Sequence, residues 1–121
     1  MSQLSERFAA AVRTLVGDGS VKERLGRAYL EHLDSLAEED LPPAQRQRFG
    51  ELREAMTRVA PFGKESRIRA SVQKMSAADA ARHARVIAEL YGELAAAERA
   101  EPLKVVSARP QQTPRYLAGR P

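Results

Sequence analysis

Apolar side chains recur every three to four residues along most of this chain, and each recurrence is bounded by a helix-starting or helix-ending signal. Leu4, Phe8, Val12 and Leu15 line one face of a predicted helix over residues 3–16. Gly17-Asp18-Gly19 ends it, with glycine placed after the last turn. Ser20-Val21-Lys22-Glu23 reads as a capping box, in which the serine oxygen accepts from the third helical amide while Glu23 reaches back. It opens a second helix over 21–39, whose stripe of Val21, Leu25, Ala28, Tyr29, Leu33, Leu36 and Ala37 is broad enough to bury against several neighbours.

Leu41-Pro42-Pro43 stops that helix, because a residue before proline avoids helical dihedrals. Pro43 then suits the first position of a third helix over 43–59, with Phe49, Leu52, Met56 and Val59 on its inner face. Pro61 and Gly63 interrupt the pattern before a shorter helix over 65–75, where Ile68, Val72 and Met75 point inward. Ser76-Ala77-Ala78-Asp79 is a second capping signal. The helix it opens, over 77–100, buries Ala80, Ala84, Ile87, Leu90, Tyr91 and Leu94, and Pro102 is expected to close it. Leu103-Lys104-Val105-Val106 reads as a brief extended patch, suited to adding a strand to a partner's sheet edge. Pro110, Pro114 and Pro121 interrupt any regular structure beyond it. The expected fold is all-α: a compact antiparallel bundle of four to five helices in residues 1–101, with an extended, basic, proline-containing tail at 102–121.

Composition supports this class. With three Phe, three Tyr and no Trp, the core must be built from aliphatic residues and alanine, which favours closely packed helices over a sandwich or barrel. Arginine outnumbers lysine sixteen to four, a bias that reads as the codon usage of a GC-rich bacterial genome. The chain has no cysteine, which excludes disulfides, thiolate metal sites and cysteine nucleophiles and is compatible with a cytoplasmic setting. The first eight residues lack a basic segment followed by an apolar run, so no signal peptide is expected. No apolar run approaches the ~18 residues of a membrane span, and no membrane partner is expected.

The net charge of +4 is unevenly placed. Lys104, Arg109, Arg115 and Arg120 lie in the tail without an acid, leaving sixteen cations against sixteen acids in the helical body. Within that body Glu31, Asp34, Glu38, Glu39 and Asp40 cluster near the end of the second expected helix, the unfavourable end of its dipole for acids. Lys64, Arg67, Arg69, Lys74, Arg82 and Arg85 form an opposite cluster. The two are expected to be solvated faces that pair with each other; the competing reading is a docking face for an acidic partner or for phosphates.

Signatures of chemistry are missing. Neither His32 nor His83 has a glutamate three residues before it, so the di-metal carboxylate motif is absent. Gly17-Asp18-Gly19-Ser20 lacks the lysine and the preceding strand of a phosphate loop and reads as a stop-and-cap turn. The segment 67–90 has the outline of a helix-turn-helix, but its turn carries no glycine and its second helix is long for base recognition. The chain is therefore expected to be a non-enzymatic helical adaptor or regulatory protein without cofactor or metal, binding another protein and open to self-association. The alternative is a nucleic-acid or ribonucleoprotein accessory. Candidate contact residues are Arg67, Arg69, Lys74, Arg82 and Arg85 on the helices, and Lys104, Arg109, Arg115, Tyr116 and Leu117 in the tail.

Overall fold

The computed structural model describes residues 2–61, 63 and 66–106, the last six of these as backbone only. Among the described residues the chain forms five α-helices and no strand: α1 (Gln3–Leu15), α2 (Val21–Ala28), α3 (Pro43–Met56), α4 (Arg67–Lys74) and α5 (Ala77–Val106). α1, α2 and α5 pack against one another, α4 lies on α2, and α3 lies against α4 and α5. α1 runs antiparallel to α5, with the Glu98 carboxylate accepting from the Ser2 amide at 3.2 Å and from the hydroxyls of Ser2 and Ser5. α3 is antiparallel to α5 as well: Gln45 and Arg48 both reach Glu93, and Arg48 lies 3.8 Å from Glu89.

The inward stripes meet in a single core. Phe8, Leu25, Tyr29, Leu33, Phe49, Met56, Ile87 and Leu90 are all fully buried. Phe8 and Phe49 join α1 to α3 edge to face, with ring centroids 6.0 Å apart.

Capping residues set the starts. Ser20 and Glu23 complete the expected capping box, each side chain bonded to the other's amide. Ser66 and Ser76 accept from the amides of Arg69 and Asp79, starting α4 and α5. Gly19 adopts φ +100, a left-handed conformation that admits glycine far more readily than other residues. The turn before α2 is thus the stop-and-cap device expected from its residues.

Four expectations are corrected. The second helix does not run to residue 39: α2 ends at Ala28 and passes into a π-turn over Tyr29–Leu33, in which the Asp34 amide donates to the Tyr29 carbonyl at 2.9 Å. The chain then turns, and a 3₁₀ turn covers Glu38–Asp40. Asp40 supplies the physical reason, since its carboxylate takes the Ala37 amide at 2.9 Å and offers the backbone an alternative to a helical bond. Ala37 is therefore exposed, while Leu36 and Leu41 turn into the core. The acids at 38–40 therefore lie in this 3₁₀ turn and not at the C-terminus of a long second helix.

The third helix stops at Met56, not 59, because the Val59 amide is taken by the buried Ser71 hydroxyl at 2.9 Å. Pro102 does not close α5. Proline removes one helical bond, yet its fixed φ is compatible with a helix, and the backbone continues helically through Leu103-Lys104-Val105-Val106 in place of the expected extended patch. Finally, no ion pair among the described residues joins the acidic cluster to the basic one. Arg82 bonds Asp79 on its own helix at 2.9 Å, and Arg46 and Arg53 on α3 face the acids instead. The segment 107–121, with Arg109, Arg115, Tyr116 and Leu117, lies outside the described residues.

Candidate functional site

A groove of about 740 Å³ lies between α2 and α4. One end is closed where Lys22 Nζ donates to the Gln73 carbonyl at 3.0 Å, satisfying a carbonyl at the end of α4. Gly26 and Leu30 from the α2 side and Ile68 and Val72 from α4 supply its apolar surface. Ile68 and Val72 are mostly buried, but Leu30 remains 42% exposed, one of two large apolar side chains so exposed among the described residues.

Local structure explains both features of the α2 wall. Leu30 stands in the π-turn, next to Tyr29, whose side chain is fully buried; the turn directs one side chain into the core and leaves its neighbour facing solvent. Gly26 lies inside α2, where glycine costs about 1 kcal/mol relative to alanine. Packing does not require it: a Cβ there would meet Val72 Cγ2 at 3.7 Å, an ordinary contact. What glycine provides is depth in the groove.

The rim is charged. Lys22, Glu23, Arg27 and Glu31 stand on the α2 side and Arg69 on α4. Arg27 donates to the Asp18 carbonyl at 3.0 Å and Glu23 accepts from the Ser20 amide at 3.0 Å, so both are held in place by neutral backbone groups. Of the residues singled out from sequence, Arg69 lines the groove, and Arg67 and Lys74 are exposed on the same helix. Arg82 is committed to Asp79, and Arg85 is exposed on α5. Lys104 falls in the backbone-only end of α5. Lys22, Arg27 and Leu30 were not among the candidate contact residues, and Glu31 entered only as part of the acidic cluster; a leucine beside the core Tyr29 and a glycine inside a helix were the available signals.

A second cleft of about 540 Å³ is lined by residues 34–39 with Arg46 and Arg53. Much of its polar lining is already engaged. Arg46 donates to the Leu41 carbonyl at 2.8 Å, Arg53 lies over the Phe49 ring at 5.6 Å, and Glu38 rests on Gly50, where an added Cβ would stand 2.9 Å from the carboxylate. Behind it the buried Tyr29 hydroxyl makes no hydrogen bond. Burial raises its pKa, opposed by Arg53 and reinforced by Asp34.

Titratable groups elsewhere are structural in their surroundings. His83 is held below the usual imidazole range by burial first, then by Arg82 and Arg58, with Asp79 opposing. His32 Nε2 lies 3.2 Å from the Thr14 hydroxyl and 3.8 Å from Glu31. Among the described residues no three His, Asp or Glu side chains are grouped as metal ligands, and no helix is long and apolar enough to cross a membrane. No family model matches the chain, and neither a curated protein nor a solved structure matches it.

Proposed function

We propose that this chain is a non-enzymatic adaptor or regulatory module that binds another protein through the α2–α4 groove. One observation carries the reading: an apolar floor is held open between two short helices, with Leu30 exposed and a glycine kept inside α2 where packing would accept alanine. An exposed leucine in a concave, charge-rimmed site is the arrangement that an amphipathic partner segment fills. The basic tail, with Lys104, Arg109, Arg115, Tyr116 and Leu117, is assigned a supporting contact with the same partner. No cofactor or metal is assigned, and the proposed setting is the cytoplasm.

Affinity capture from native lysate with the full chain and with Leu30→Ser tests the proposal. A protein retained by the first and lost by the second, then reconstituted from purified components, is the expected result. Identical captured proteins from the two baits would refute the groove's role.

A second reading is favoured by the surface of α4, which carries Arg67, Arg69 and Lys74 without an acid. Contact with nucleic-acid phosphates through that face would weaken steeply with salt and would be indifferent to Leu30→Ser.

A further inference from the structure

We infer that the occupant of the α2–α4 groove is an acidic, amphipathic helical segment of another protein. This rests on the protein-binding reading above and adds the partner's chemistry. The groove is lined by Lys22, Arg27 and Arg69 against Glu23 and Glu31, and the rest of α4 adds Arg67 and Lys74 without an acid. None of these five cations makes an ion pair among the described residues. Their hydrogen bonds, where present, go to neutral carbonyls, so the excess positive charge is left for a partner to complement.

Shape selects the partner's form. From Lys22 to Glu31 the α2 wall runs for about 14 Å at helical rise, enough for apolar anchors at i, i+4 and i+7 of a docked helix. Such a helix places its anchors over Gly26, Leu30, Ile68 and Val72 and turns an acidic flank toward Arg67, Arg69 and Lys74. A phosphate backbone matches the charge but gains nothing from the aliphatic floor, and among the described residues no aromatic ring lines the groove to stack a base.

The test is selection of helix-forming random peptides of about sixteen residues, roughly four turns, against the full chain. Binding of the selected peptides is then measured by fluorescence anisotropy with wild type, Leu30→Ser, Arg69→Glu and the off-site control Arg85→Glu. The expected winners are net acidic with apolar residues at helical spacing. Each groove variant is expected to weaken them about tenfold or more, as loss of a central anchor or a complementary charge does. Arg85→Glu leaves them unchanged, and copies with lysine in place of glutamate do not bind. Circular dichroism melts of the variants show that they fold.

Neutral or basic winners that Leu30→Ser nevertheless abolishes would overturn the acidic partner and leave the groove reading standing. No winners, or winners insensitive to both groove variants, would overturn both. A single-stranded RNA or DNA duplex that outcompetes every peptide and is lost with Arg69→Glu but not Leu30→Ser would assign the face to phosphates. A dimer in sedimentation that Leu30→Ser dissociates would assign it to a second copy of this chain.

Discussion

Tyr29 places a full aromatic side chain in the core while its hydroxyl goes without a hydrogen bond. A buried, unmatched polar group costs about 1–3 kcal/mol, whereas an apolar residue of the same shape carries no such penalty. Tyr29→Phe is therefore expected to be neutral or to stabilise by up to about 1 kcal/mol, read as a higher urea midpoint at unchanged slope. His83 acts in the opposite sense, as a group whose charging is opposed by folding. Its folded pKa lies below that of the unfolded chain, so its contribution is complete above about pH 6.5 and is lost as pH falls through the folded value. Glu98, held low by the Ser2 and Ser5 hydroxyls, loses its contribution further down, below the ordinary carboxylate range. A stability–pH curve should show two descending limbs, and His83→Gln should flatten the upper one alone.

At the scale of elements, α2 is the informative case. Its capping box was plain in Ser20-Val21-Lys22-Glu23 because the residues that make it are adjacent. Its end was not, since Tyr29, Leu33 and Leu36 keep helical spacing whether the backbone is α-helical, π or turning, and all three are buried in any case. The deciding group was the Asp40 carboxylate on the Ala37 amide, a bond that spacing of apolar residues does not report. Gly26 makes a separate test of what α2 is for. Gly26→Ala should stabilise the chain by about 0.5–1 kcal/mol in thermal or chemical melts, because the position is helical and has room for a methyl group. It should also weaken partner binding, since the methyl group fills the groove.

For the whole molecule, the class and the core were readable because each helix announces its own inner face, and the stripes at Phe8, Leu25, Phe49, Ile68 and Ile87 all point inward. The groove was not, because its walls come from segments about forty residues apart and its floor is made by what is missing at Gly26 as much as by what is present. Charge misled in the same way. The acidic cluster around Glu38 and the basic cluster around Arg69 complement each other in sequence, but the fold turns the acids toward α3 and leaves the cations of α4 unpaired among the described residues.

The bond between Ser2, Ser5 and Glu98 ties the first helix to the last. During synthesis this has a consequence in time. Helices α1 and α2 leave the ribosome with Phe8, Leu25 and Tyr29 uncovered, because the helix that packs on both, α5, is made well after them. A chain halted after residue 76 should be cut rapidly by protease in a pulse assay, while one that has released residue 100 should resist. Until α5 has been made, the apolar faces of α1 and α2 therefore depend on whatever shields nascent apolar surface in the cell.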